Sequence, residues 1–147
     1  MLVILTAFTM MLLCLALQAI FVATCLRRYI RFRATHPGTV SRLEHITLLA
    51  MVMVLMMISI LVQMAIWASV FLLVGEFSEF RTAFYHSGVN FAGLGYGDIV
   101  MSERWRPLGP LEAANGIMMF GVATAAMTAA VMEIIKYSKA FPPDARS

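Results

Sequence analysis

Three long runs without a charged residue limit what this chain can fold into. Residues 2–26, 46–75 and 113–132 contain no Asp, Glu, Lys or Arg. A bilayer core needs about 20 apolar residues in a helix, so each run is long enough to cross. The second run exceeds this length and should tilt or extend past the hydrocarbon. Hydrophobic residues make up 61% of the chain, too many to bury in one small globule. The sequence therefore predicts an all-α membrane protein with three transmembrane helices.

The first run is predicted to remain in the protein as an N-terminal transmembrane helix, residues 1–27. A cleaved signal peptide has a basic start and an apolar core of about 7–15 residues. Here no basic residue precedes Arg27, and the apolar run is about twice that length. The sequence leaves the placement of this helix open.

The distribution of basic residues predicts the orientation. Eight of the eleven Lys and Arg residues follow the first or the third run, and three lie between the second and third runs. Cytoplasmic segments next to membrane helices carry this excess. We therefore expect an outside N-terminus, a basic cytoplasmic loop at 28–45 and a cytoplasmic C-terminus. The arginines of this loop lie beyond the first run, which favours contact with anionic lipid over a voltage sensor.

The segment between the second and third runs is too apolar for an ordinary loop. Its first part can form a helix of about three turns, too short to cross a bilayer, and a glycine run follows. Non-helical backbone at membrane depth is tolerated only where it is buried in protein or lines a cavity. This pattern predicts a re-entrant loop. The expected pore module, 46–133, comprises outer helix 46–75, pore helix 79–92, filter 93–98 and inner helix 109–137, with a short cytoplasmic tail at 138–147.

The glycine run has the spacing of an ion-selectivity filter. A filter needs successive carbonyl oxygens that point to one axis and replace the hydration shell of the ion. That arrangement requires alternating backbone angles, which only glycine adopts readily. Gly93, Gly95 and Gly97 have this spacing, whereas Leu94 and Tyr96 would point away from the axis and pack against surrounding helices. The C-terminal end of the preceding helix would add a partial negative charge that favours a cation.

Asp98 follows the glycines and would lie at the outer mouth, where it could attract cations. A flexible outer loop is the alternative interpretation of the same residues. A dinucleotide-binding fingerprint is disfavoured, because it reads G-x-G-x-x-G between a strand and a helix, whereas this run is G-x-G-x-G between two membrane spans.

The stretch 83–130 resembles the pore module of potassium channels, and in particular of the small two-transmembrane ion-channel family with its T-x-G-Y-G-D filter. The resemblance extends over about residues 46–130, and its most specific part is the motif GLGYGD at 93–98. It implies a homotetramer in which the carbonyls of Gly93, Leu94, Gly95 and Tyr96 bind K⁺. Glycine replaces the usual threonine at position 93, which affects the innermost ion site.

The resemblance also concerns the support of the filter. Val89 occupies a position where some relatives have a glutamate behind the filter. Asp98 must then find another partner, and Tyr85 and His86 are the candidates. Glu112 and Asn115 lie three residues apart near the outer end of the inner helix. They would either support the filter from behind or serve as capping and interfacial residues.

Small residues are frequent in the third run, and two interpretations remain open. Close helix packing is the usual reason for small residues in membranes. The functional alternative is a hinge at Gly116 or Gly121 and a cavity wall at Thr124 and Thr128.

The predicted function is passive, potassium-selective conduction across a plasma membrane, with K⁺ as the permeant ion and no cofactor. The alternatives are a weakly selective cation channel and a non-conducting membrane scaffold that keeps the channel fold. No nucleophile–base arrangement suggests an enzyme, and no nucleic-acid partner is expected.

Overall fold

The computed structural model describes residues 1–35 and 42–140. This part of the chain contains four α-helices and no strand: α1 (Leu2–Thr35), α2 (Arg42–Leu73), α3 (Phe80–Phe91) and α4 (Leu108–Ala140). Three stretches are long and apolar enough to cross a membrane, namely Leu2–Phe32, Ile46–Leu73 and Leu108–Glu133. Helix α3 has 12 residues, or about 18 Å at the usual rise, and cannot cross. The predicted all-α class with three spanning helices and one short helix is confirmed.

The spanning helices expose most of their apolar surface. In an apolar stretch of 18 residues taken from each helix, only 17% is buried within the chain for α1 and 22% for α2 and α4. Large side chains such as Ile4, Phe8 and Met57 are more than half exposed. A helix that is apolar on all sides requires an apolar environment. Lipid or further protein must therefore cover these helices.

The segment 28–45, predicted as a loop, is largely helical. Helix α1 continues to Thr35 and α2 begins at Arg42, and residues 36–41 lie outside the described part. The prediction ended the helix where the apolar run ends. Arginine is a good helix former, and residues 27–35 contain no glycine or proline, so the helix continues past the membrane boundary. For the same reason α4 extends through the start of the predicted tail, of which 141–147 are outside the described residues.

The N-terminal helix packs against both α2 and α4, which answers a question that the sequence left open. A buried polar cluster joins α1 to α2. Gln18 Oε1 accepts hydrogen bonds from Ser59 Oγ at 2.6 Å and from Gln63 Nε2 at 2.8 Å, and all three side chains are fully buried. Polar groups within a membrane protein pair across helices because lipid offers them no partner. We call these three residues the α1–α2 cluster.

Candidate functional site

The candidate site begins at the C-terminal end of α3. The backbone N–H of Gly93 donates to Asn90 O at 2.8 Å, and that of Leu94 donates to Val89 O at 2.9 Å. Gly93 has a φ of +70°. These two bonds and the left-handed residue form a Schellman motif, a common way to end a helix. Gly93 therefore ends the short helix, a role that the sequence analysis missed although a glycine directly after a helix is its usual signal.

The sign of the backbone φ angle alternates from Gly93 to Gly97. Gly93, Gly95 and Gly97 have φ values of +70°, +60° and +72°, whereas no non-glycine residue in the described part of the chain has a positive φ. An L-residue in the left-handed region costs about 1–2 kcal/mol. Glycine at every second position thus permits a conformation that a run of other residues would resist.

The side chains between these glycines are uncovered. Leu94 is 54% exposed and Tyr96 is 65% exposed. We expected them to pack against surrounding helices, but within the described part of one copy of the chain most of their surface has no such contact. The described helices of one copy therefore leave these two side chains largely uncovered.

Of the two residues predicted as partners of Asp98, Tyr85 forms a hydrogen bond to it. The hydroxyl of Tyr85 donates a hydrogen bond to Asp98 Oδ2 at 2.7 Å. This bond holds the pKa of the Asp98 carboxyl below its usual value and raises the pKa of the Tyr85 hydroxyl. A hydrogen bond that favours the charged form of an acid has this effect. Asp98 therefore stays ionised in moderately acidic solution.

His86 is buried, unlike the exposed Tyr85 and Asp98. Its ring contacts those of Phe71 and Phe77, with centroids 5.5 Å and 5.1 Å away, and only 6% of its surface is exposed. Burial lowers the pKa of its imidazole, so the ring is neutral at pH 7. The amide nitrogen of Asn90 lies 3.0 Å from His86 Nε2, and Nε2 accepts because the amide nitrogen can only donate.

A second buried polar cluster joins α3 to α4. Glu112 Oε1 lies 2.5 Å from Ser87 Oγ, and Asn90 Nδ2 donates to Glu112 Oε2 at 3.2 Å. Ser87 Oγ also lies 2.9 Å from the backbone oxygen of Met64 in α2. Glu112 is fully buried, as is Asn115. Full burial excludes interfacial solvation for Glu112, and its hydrogen bonds join α4 to α3. We call Ser87, Asn90 and Glu112 the α3–α4 cluster.

Gly116 lies one turn beyond Glu112 and allows α4 to touch the end of α3. A Cβ atom at this position would be 1.9 Å from Phe91 O, closer than any real contact. A Cβ at Gly121 would meet no atom within 4 Å. Helix α4 continues through both glycines without a break. Close packing against Phe91 therefore explains Gly116, and the helix is unbroken at both glycines.

The predicted cavity residues Thr124 and Thr128 lie further along α4, and both are exposed. The hydroxyl of Thr124 donates to Phe120 O of the same helix at 2.9 Å. These threonines are thus available to a space outside the single chain.

A further contact, missed from the sequence, fixes the loop that follows Asp98. The carboxylate of Glu76 accepts hydrogen bonds from Ser102 N at 2.7 Å and from Ser102 Oγ at 2.6 Å. Glu76 directly follows Gly75, near the end of α2. The loop beyond Asp98 is thereby tied to the outer helix.

The arrangement is that of a membrane protein with a short helix held between two spanning helices. At the end of this helix lies the run of alternating glycines at 93–97, which we call the glycine strand although it belongs to no β-sheet. In a comparison with protein families, residues 56–133, more than half of the chain, match the family described as ion channel. The chain belongs to the two-transmembrane ion-channel family, as its resemblance predicted. The match contains α3, the glycine strand and most of α4, and it leaves out α1. Comparisons with curated proteins and with solved structures gave no match.

Proposed function

We propose that the protein is a potassium-selective channel in which residues 93–98, GLGYGD, form the filter. The observation that supports this most strongly is the alternation of left-handed glycines directly after the end of α3. A backbone that alternates between left-handed and right-handed conformations points successive carbonyls to the same side, as a filter requires. The carbonyls of Gly93, Leu94, Gly95 and Tyr96 would bind K⁺, and Asp98, held ionised by Tyr85, would raise the local concentration of cations.

A homotetramer is the proposed assembly. One chain supplies one glycine strand, and a ring of carbonyls needs several strands around an axis. The exposure of Leu94 and Tyr96 supports neighbouring copies as the protein that covers them. Four copies would also place the exposed Thr124 and Thr128 of α4 toward a shared inner cavity.

The proposed setting is a plasma membrane, with the N-terminus and the filter outside and the C-terminus inside. The uneven distribution of Lys and Arg supports this orientation. Arg28 and Arg31 line a cavity of about 520 Å³ between α1 and α2. Their position at the end of a membrane span suits the headgroups of anionic lipids.

A weakly selective cation channel is the second candidate, and the residue at position 93 favours it. Glycine lacks the hydroxyl that threonine would supply there. The innermost ion site would then have fewer oxygen ligands than the outer sites. A non-conducting scaffold is the remaining alternative.

The reversal potential of the purified protein in a planar bilayer, with K⁺ on one side and Na⁺ on the other, tests these proposals. Potassium selectivity predicts a reversal close to the K⁺ equilibrium value. A reversal near zero with clear current would establish the weakly selective channel, and the absence of current in every condition would favour the scaffold.

Two glycine variants show whether such a current passes through residues 93–98. Gly95→Ala forces a side chain into a backbone with a φ of +60° and should abolish K⁺ current. Gly75→Ala is the matched control, because Gly75 has a φ of +80° but lies between α2 and α3. It has similar backbone strain and should leave selectivity unchanged. Equal effects of the two variants would mean that strain alone, and not the filter, reduces the current.

A further inference from the structure

Glu112 lies on the face of the membrane-spanning helix α4 that contacts α3, and its role as inferred here rests on the proposed channel function. Glu112 is fully buried, and its described hydrogen-bond partners, Ser87 and Asn90, are both neutral. A buried carboxylate without a cationic partner is costly. A carboxyl group in such surroundings is expected to bind a proton.

The number of hydrogens available at Ser87 also indicates that Glu112 is protonated. Its hydroxyl lies 2.9 Å from Met64 O and 2.5 Å from Glu112 Oε1. The backbone oxygen can only accept, and a hydroxyl has one hydrogen to donate. If Ser87 donates to Met64 O, the short contact with Glu112 needs a hydrogen on the carboxyl group. A protonated Glu112 donates to Ser87 Oγ and still accepts from Asn90 through its other oxygen.

The location of this cluster connects it to the filter. Asn90 belongs to the last turn of α3, and its backbone oxygen accepts the N–H of Gly93. Ser87 lies one turn earlier, and Gly116, one turn beyond Glu112, contacts Phe91 O. The final turn of α3 is therefore held by α4 at two points, and the glycine strand leaves from this turn.

We propose that Glu112, as a neutral carboxylic acid, is a positioning residue for the filter. Its hydrogen bonds to Ser87 and Asn90 fix the last turn of α3 and thereby the location and direction of Gly93. In this role Glu112 contacts no ion, and it sets the selectivity of the channel through the pore helix.

Two substitutions at position 112 test the proposal. Glutamine keeps one donor and one acceptor in the same shape, so E112Q should show the K⁺/Na⁺ permeability ratio of the wild type. Leucine removes both groups and leaves Ser87 and Asn90 without their buried partner, so E112L should lower this ratio about tenfold. Ser87→Ala removes the same contact from the α3 side and should act in the same direction. The tetramer of each variant is quantified before its current is recorded.

Gln18→Leu is the matched control, because it removes a fully buried polar group of similar size from α1, whose described hydrogen bonds to Ser59 and Gln63 join α1 to α2. It should weaken the protein without changing the permeability ratio. Selectivity kept in both E112L and Ser87→Ala would overturn the proposal, as would an equal loss of selectivity in Gln18→Leu. A loss in E112Q as large as that in E112L would overturn the neutral-acid assignment.

An infrared measurement separates this proposal from the channel function on which it rests. A neutral Glu112 has the carbonyl stretch of a protonated carboxyl group at pH 7, and E112Q removes that band. A wild type that conducts without preferring K⁺ contradicts the proposed function, while the presence of the band continues to support the neutral acid. Absence of the band in the wild type overturns the assignment whatever the current shows.

Discussion

The two buried polar clusters of this protein join helices of different kinds. The α1–α2 cluster, built around Gln18, joins two helices that are each long enough to span a membrane. Such helices are stable in lipid on their own, and polar contacts decide how they associate. The α3–α4 cluster, built around Glu112, holds a helix of 12 residues that cannot span. A short helix at membrane depth depends on its neighbours for its position. The first cluster therefore joins two helices that can span on their own, and the second cluster holds in place a short helix that cannot, from whose end the glycine strand leaves.

The largest effect is expected where α3 and α4 touch. Gly116→Ala would place a Cβ atom 1.9 Å from Phe91 O, a backbone atom, and overpacking of this kind costs about 1–3 kcal/mol. We expect the variant to lose thermal stability and current together, as measured by unfolding in detergent and by bilayer recording. Gly121→Ala is the control, since its Cβ meets nothing within 4 Å. Equal stability of the two variants would show that α3 is not held by this contact.

A substitution at position 93 tests which requirement determines the residue there, the end of α3 or the innermost ion site. Gly93→Thr restores the residue usual in the family, but it puts a β-branched side chain at a φ of +70°, where such residues are outliers. We expect it to destabilise the protein by about 1–2 kcal/mol and to reduce current, as measured by thermal unfolding and bilayer recording. A gain in K⁺ selectivity with unchanged stability would show instead that the helix end can rearrange.

A smaller effect is expected in the α1–α2 cluster. Gln18→Leu removes the acceptor of Ser59 and Gln63, and interhelical hydrogen bonds in membranes contribute about 0.6 kcal/mol on average. Helix α1 should detach more often, and for the two bonds lost the rate at which a maleimide labels the buried Cys14 should rise about eightfold. The measurement uses a Cys25→Ser background, so that only one thiol reacts. An unchanged labelling rate would mean that packing with α4 alone holds α1.

The smallest effect concerns the outer mouth. Tyr85→Phe removes the hydrogen bond that lowers the pKa of Asp98, so that pKa should rise toward its usual value. Asp98 then takes up a proton at a higher pH than in the wild type. The acid-induced fall of the single-channel K⁺ current, recorded against external pH, should shift to higher pH in the variant. Identical titrations would exclude Asp98 as the group that titrates.

The sequence predicted those parts of the molecule that depend on one segment at a time. Runs without charge predict the spanning helices because length and polarity decide insertion, and the spacing of Gly93, Gly95 and Gly97 predicts an alternating backbone. The same reasoning failed at residues 28–35, since a helix need not end where its apolar run ends.

Contacts between segments could not be derived in this way. Nothing in the spacing of Ser87, Asn90 and Glu112 shows that they meet, because α3 and α4 are connected by a long loop. The sequence allowed either packing or a hinge at Gly116. The choice between them depends on the close approach of Phe91, which is a distance between two helices. The filter-like strand was thus predictable from the sequence, whereas most of its support was not.

The strand from Gly93 to Gly97 is attached at both of its ends. The bonds to Val89 and Asn90 fix its start, and the bond between Tyr85 and Asp98 fixes its far end to the same short helix. Both attachment points lie on the same helix, α3, so the distance between them is fixed and limits how far the strand can stretch or bend. One residue inserted between the two attachment points would therefore displace every carbonyl of the strand. An insertion beyond Asp98 would leave the length of the strand unchanged.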